Sequence, residues 1–167
     1  LLADRQLGVA AQKIFGGLMP TITFDKKDLL NLVGRDLSDQ QLEEVISLIK
    51  PNIESLTKNE IVLEMPPDRP DLFGVEGVAR AIRQYLGLQE GPQKISAERY
   101  AASVKIEHVP DRPFVAAAIV RNVKLTDEFI KSLMNIQEVL HETIGRKRKK
   151  VAIGVHDLDK IKFPVTY

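Results

Sequence analysis

Glu64-Met65-Pro66-Pro67-Asp68-Arg69-Pro70-Asp71-Leu72-Phe73-Gly74-Val75-Glu76-Gly77-Val78-Ala79-Arg80 is the stretch on which the fold turns. The residues leading into it, 60–65, alternate: Ile61, Leu63 and Met65 fall on one side, Glu60, Val62 and Glu64 on the other, as in a half-buried strand. Pro66, Pro67 and Pro70 then end the ladder, because proline has no N–H to donate and restricts the residue before it. After Asp71 the apolar period changes from two to three-and-four, placing Val75, Val78, Ala79, Ile82 and Leu86 on one helical face. Gly87 stands where a left-handed C-terminal cap is expected. Strand, stiff polar corner and helix follow one another here.

Working outward toward the N-terminus, residues 52–56 read as a second strand, joined to 60–65 by a hairpin with Lys58 and Asn59 at its tip. Before it, Ser38 with Gln41 forms a capping box for a helix whose apolar side is Leu42, Val45, Ile46 and Ile49, closed by Lys50-Pro51. Earlier still, residues 21–24 are β-branched and strand-like. Asp25 caps a helix that buries Leu29, Leu30 and Val33 and stops at Gly34. Together, residues 19–88 predict a small N-terminal α+β domain. Residues 1–18 carry an amphipathic pattern (Leu7, Ala10, Ala11, Ile14, Phe15), and Met19-Pro20-Thr21 reads as an initiator, so 1–18 is expected to be an upstream or artificial leader. It lacks the cationic start and small-residue cleavage site of a secretory signal.

Outward toward the C-terminus, residues 89–102 are polar, contain Gly91-Pro92 and read as a linker. Residues 103–167 predict the start of a second α+β domain. Val104 and Ile106 suggest a strand, 110–113 a turn, and 114–120 a nearly continuous apolar strand buried on both faces. Thr126, with Asp127 and Glu128 behind it, caps a long helix with the face Phe129, Leu133, Ile136, Val139 and Leu140. Gly145 ends it, and 151–155 reads as a further buried strand. The chain opens on Leu1 and stops as 163–167 begins another strand-like stretch, so a fragment is the expectation.

Composition sets bounds on partners. The 167 residues balance 24 basic against 23 acidic side chains, a net charge of +1, so any nucleic-acid signal must be local. There is no cysteine, hence no disulfide framework and no thiolate metal site. No apolar run approaches the ~20 residues that span a bilayer, and a soluble, cytoplasmic chain without membrane partners is expected.

Three places could carry chemistry. Arg146-Lys147-Arg148-Lys149-Lys150 can bind phosphates with release of counterions. It can equally be a solvated cluster at a helix C-terminus, where cations favour the dipole. It has no interleaved aromatics, so it is not a stacking platform. His156-Asp157-Leu158-Asp159 offers a base or ligand beside carboxylates, or simply a turn. His108 and His141 stand at no familiar metal spacing from it, and no metal site is expected. Asp68, Arg69 and Asp71 could form a catalytic cluster, but read better as the corner's own scaffold, with Asp71 accepting from exposed helix N–H groups and Arg69 forking to a carboxylate or a neighbouring subunit. The pair Gly74 and Gly77 lacks the spacing and lysine of a phosphate loop, and there is no nucleophile elbow. No catalytic residue and no cofactor site is therefore assigned within these residues.

Two of these stretches carry a family resemblance. Arg69-Pro70-Asp71-Leu72 with Val75-Glu76-Gly77-Val78-Ala79-Arg80 resembles a signature near the N-terminus of the beta subunit of phenylalanyl-tRNA synthetase, of the archaeal and eukaryotic cytosolic type. The run from Leu140-His141-Glu142 through Arg146 to Lys150, Val151-Ala152-Ile153-Gly154 and His156-Asp157-Leu158-Asp159 is similar to a more specific run of the same subunit. Phe163-Pro164-Val165-Thr166-Tyr167 continues it, and Met19-Pro20-Thr21 matches the subunit's start, so the resemblance covers 19–167.

The resemblance implies an N-terminal fragment of that subunit. The holoenzyme would be a tetramer of two alpha and two beta subunits that joins phenylalanine to its tRNA with ATP and magnesium, the synthetic site lying in the alpha subunit. The beta subunit's second module would hydrolyse mischarged tyrosyl-tRNA, because an apolar pocket discriminates weakly against an added hydroxyl and a second sieve is needed. On this chain, Arg146, Lys147, Arg148, Lys149 and Lys150 become candidates for tRNA contact. His156, Asp157 and Asp159 become conditional neighbours of the editing site, and Arg69 and Asp71 remain structural. Alone, these residues are expected to be catalytically silent. A stand-alone RNA-binding or trans-editing domain, and a structural assembly module without catalysis, are the competing readings.

Overall fold

The computed structural model describes residues 19–92 and 94–167; the leader expected at 1–18 lies outside the described residues. The fold is α+β. Three strands, β1 (Thr21–Asp25), β2 (Asn52–Leu56) and β3 (Glu60–Glu64), form an antiparallel sheet in the order β1-β3-β2. Ile22 stands opposite Leu63 and Phe24 opposite Ile61, so the alternation in both strands turns these four side chains to one buried face. β2 pairs with β3 through a bulge between Ile53 and Ser55.

The helices begin and end where local chemistry predicts. α1 (Lys26–Val33) starts at Asp25, whose carboxylate accepts from the Asp28 N–H at 2.8 Å, and stops at Gly34 in the left-handed conformation. α2 (Asp39–Leu48) opens on the full Ser38–Gln41 capping box. α3 (Val75–Tyr85) follows a single 3-10 turn at Pro70–Leu72. At its far end the Gly87 N–H bonds the Gln84 carbonyl and the Leu88 N–H bonds the Arg83 carbonyl, the paired bonds of a Schellman cap, with Gly87 at φ 68°. Val75, Val78, Ala79 and Ile82 are buried, as the period required.

The compact units do not follow chain order. One consists, in its described part, of residues 19–91 together with Asp127–Ala152; the other consists of the described residues of Pro92–Thr126 together with Ile153–Tyr167. The division expected at 103–167 is thereby cut across. The long helix α4 (Asp127–Glu142) belongs to the first unit because its apolar face completes that unit's core: Val139 is fully buried there, and Ile136 and Leu140 pack against it. Ser132 Oγ donates to Glu76 of α3 at 2.8 and 2.9 Å from the two carboxylate oxygens.

In the second unit the sequence reading needs correction. Among its described residues only β4 (Val104–Lys105) and β5 (Val165–Thr166) pair, and they run parallel. Neither 114–120 in this unit nor 151–155, whose first two residues belong to the first unit, is a strand; Phe114 is 90% exposed, and Val120, Val151 and Val155 are exposed as well. An apolar run becomes a doubly buried strand only when neighbours pair both edges and layers cover both faces. The described residues of this unit supply neither.

Candidate nucleic-acid interface

The basic run is not a loose tail at a helix end. After α4 the chain makes a closed left-handed turn, with Arg146, Lys147 and Arg148 at φ 48°, 55° and 62°. An L residue in that region costs about 1–2 kcal/mol, so three in succession persist only if other bonds hold them. Those bonds are present. The N–H groups of Arg146, Arg148, Lys149 and Lys150 donate to the carbonyls of Thr143, His141, Arg146 and Gly145 at 3.0, 3.1, 3.2 and 2.8 Å. Gly145 is buried at the crossing: a Cβ there would stand 2.6 Å from the Val151 carbonyl oxygen and 2.7 Å from that of His141. Only glycine lets the two chain segments approach so closely.

The five cations are not equivalent. Arg148 Nη2 reaches back one helical turn and more to Glu138, 2.8 and 2.5 Å from its two oxygens, and Nη1 lies 3.9 Å from Glu142. Glu138 also lies 3.7 Å from the ring of His141, which is buried. Arg146, Lys147, Lys149 and Lys150 are exposed and form no salt bridge among the described residues. In the sequence alone the run is five like charges. The part played by Glu138 is signalled there by no more than its position four residues before Glu142, on the same side of the helix.

His156, Asp157 and Asp159 fall in the other compact unit. Asp157 caps the 3-10 turn Leu158–Lys160, its carboxylate accepting from the Asp159 N–H at 3.1 Å, and Lys160 Nζ lies 3.5 Å from it. The His156 ring lies against Gly154, where a Cβ would meet Nε2 at 2.9 Å. All three side chains are exposed. No three His, Cys, Asp or Glu side chains gather as metal ligands among the described residues.

The corner is held by a fork. Arg69 Nε and Nη2 donate to the two oxygens of Asp71 at 2.9 and 2.8 Å. That guanidinium holds the Asp71 carboxyl below the usual carboxylate range, and the carboxylate in turn raises Arg69. Lys50, paired with Asp68, likewise lowers the Asp68 carboxyl. The expected capping role of Asp71 is not what the structure has. α3 starts at Gly74 without a side-chain cap, the Gly77 and Val78 N–H groups bonding the Gly74 carbonyl. A 3-10 turn intervenes between Asp71 and the helix start, and both Asp71 side-chain oxygens are taken by Arg69.

The fold is that of a solved aminoacyl-tRNA synthetase fragment. The chain superposes on the crystal structure of an N-terminal fragment of the phenylalanyl-tRNA synthetase beta subunit from Pyrococcus horikoshii with a TM-score of 0.83 and 32% identity, over 89% of this chain and 45% of that one. It is 47% identical over 146 residues to the phenylalanine–tRNA ligase beta subunit of Methanocella arvoryzae and 43% identical over 143 residues to that of Sulfolobus acidocaldarius, in each case over 86% of this chain and 26% of the relative. No family model matches the chain. The chain belongs with the N-terminal parts of phenylalanine–tRNA ligase beta subunits, and it spans about a quarter of the length of those relatives. Among the described residues no helix is long and apolar enough to cross a membrane.

Proposed function

We propose that this chain serves within a phenylalanine–tRNA ligase, pairing with an alpha subunit in a cytoplasmic tetramer of two alpha and two beta subunits, and that it contacts tRNA through the basic run 146–150. ATP and magnesium act at the alpha subunit's synthetic site. The module that begins in the second compact unit contributes to hydrolysis of mischarged tyrosyl-tRNA, with His156, Asp157 and Asp159 as neighbours of that site. The residues present here perform no chemistry by themselves.

The observation that carries tRNA contact is the exposed group Arg146, Lys147, Lys149 and Lys150 on a hydrogen-bonded turn, in a chain whose net charge is only +1. Such a cluster attracts an RNA backbone locally without making the whole chain adhesive. The exposure of His156, Asp157 and Asp159 leaves them accessible to a substrate but supplies no catalytic arrangement.

The test uses the full-length beta subunit assembled with its alpha partner. Hydrolysis of tyrosyl-tRNA is compared with that of phenylalanyl-tRNA, and tRNA affinity is measured over a salt series for the parent and for Arg146→Ala, Lys147→Ala and Lys149→Ala. Selective loss of tyrosine, together with a shallower salt dependence in the variants, supports the reading. Unchanged affinity and slope in all three removes tRNA contact from the run. Absence of selective hydrolysis removes the editing assignment.

A further inference from the structure

Resting on the tRNA-contact reading above, we infer that Arg148 is a positioning residue and not a phosphate ligand. Its Nη2, bridging the two oxygens of Glu138, locks the left-handed turn, so that Arg146, Lys147, Lys149 and Lys150 meet an RNA backbone already arranged.

Three observations converge. The guanidinium of Arg148 is committed to both oxygens of Glu138, with Glu142 3.9 Å away on the next turn of the same helix. A guanidinium whose Nη2 is shared between both oxygens of one carboxylate, with Nη1 3.9 Å from a second, has less to offer a phosphate. Three consecutive left-handed residues would relax to other conformations if nothing held them, and Arg148 is the last of the three, its own N–H bonded to the His141 carbonyl. Its backbone and side chain therefore both tie the turn to the end of α4. The other four cations are exposed and form no salt bridge among the described residues. A turn fixed before binding loses less conformational freedom when it meets its ligand.

A pure charge argument and the lock give opposite signs for one variant. If Arg148 contacted phosphate, Glu138→Gln would free it and remove a repelling carboxylate, and RNA would bind more tightly. If Arg148 positions the turn, Glu138→Gln loosens it and RNA binds less tightly.

The experiment uses full-length beta subunit with its alpha partner and phenylalanine-specific tRNA transcript as probe. Affinity is measured across a salt series for the parent, Glu138→Gln, Arg148→Gln and Lys147→Gln. Trypsin cleavage within 146–150 is followed in parallel for the parent and Glu138→Gln. The expected result is a loss of affinity of about three- to tenfold for Glu138→Gln and Arg148→Gln, the scale of ordering one or two side chains. Their salt slopes stay at the parent value, whereas Lys147→Gln lowers the slope by about 0.7–0.9 for the one phosphate contact it removes. Glu138→Gln is also cut faster by trypsin.

Tighter binding by Glu138→Gln, a slope for Arg148→Gln reduced like that of Lys147→Gln, or an unchanged trypsin rate would overturn the inference. Failure of the underlying reading looks different. In that case Lys147→Gln leaves both affinity and slope untouched, which removes RNA from the turn, while the trypsin comparison still decides whether the Glu138–Arg148 pair holds it.

Discussion

The carbonyl oxygen of Asp71 stands 1.7 Å from the place a Cβ on Gly77 would occupy, with the Asp71 carbonyl carbon at 2.9 Å. The 3-10 turn at the corner thus lies directly on the first turn of α3, and the backbone itself fills the space of a side chain. Gly77 is the third residue of α3, and glycine within a helix is ordinarily worse than alanine by up to about 1 kcal/mol. Here the preference reverses. Gly77→Ala is expected to destabilise the protein by about 3 kcal/mol or more, because a backbone clash cannot be relieved by a rotamer change. Urea unfolding of the variant checks this, and equal or greater stability than the parent would contradict the packing described.

Lys26 is buried at the start of α1, its ammonium 2.5 Å from Asp39 at the start of α2 and 3.4 Å from the Thr57 carbonyl. The two partners differ in exposure: the lysine side chain is 10% exposed and the aspartate 61%. Removing the aspartate leaves a buried cation short of its counter-charge, while replacing the lysine by an apolar chain of similar length removes the need for one. Asp39→Ala is therefore expected to lower stability by about 1–3 kcal/mol, and Lys26→Met by less. Thermal unfolding of the two variants side by side decides it; the reverse order would mean that the pair is worth more than its desolvation.

Asp28 provides a pH signature. Burial raises its carboxyl above the usual range, and Glu76, Asp25 and Glu128 add to the shift. A raised acid binds its proton more tightly in the folded state, so its contribution is fully present below the ordinary carboxylate pKa and is lost as pH rises through the folded value. Asp28→Asn is expected to raise Tm at pH 7 and to have little effect below about pH 3.8, the ordinary carboxylate value. Asp71 runs the other way. Its lowered carboxyl stabilises the corner above the ordinary pKa, and that contribution disappears as acid titrates it. Tm against pH for the parent, Asp28→Asn and Asp71→Asn separates the two. A gain for Asp28→Asn that is the same at every pH would contradict the account.

Much of the first compact unit could be read from local rules. Asp25 and Ser38 announced their helices because a short polar side chain answers the orphan N–H groups of a first turn. The alternation through Ile61 and Leu63 predicted a buried strand face, and both residues are fully buried. The Gly87 cap was legible for the same reason, since its requirement lies within the chain's own few residues.

What could not be read was set at a distance. No local pattern says that Val139 completes a core built mostly from residues 22–82, since a helix face shows that it must be covered but not by what. The apolar run 114–120 met the composition of a strand but not the pairing that makes one. In the basic run, charge was visible and conformation was not. Three positive φ angles at Arg146, Lys147 and Arg148 oppose intrinsic preference, and hydrogen bonds together with a partner ten residues away at Glu138 accompany them.

The return of α4 to the first unit bears on when that unit can mature as the chain is made. Its strands and first three helices are complete at Tyr85, yet the core still lacks Val139, 54 residues later (139 − 85). At synthesis rates of about 5–20 residues per second, that is a wait of roughly 3–11 s. During that interval Gly74 and the face of α3 nearest to it lie open where Ile136 will pack. Chains held on the ribosome just before and just after Val139 emerges should therefore differ sharply in protease resistance at the Pro66–Gly74 corner, which makes α4 the closing step of a fold begun long before it.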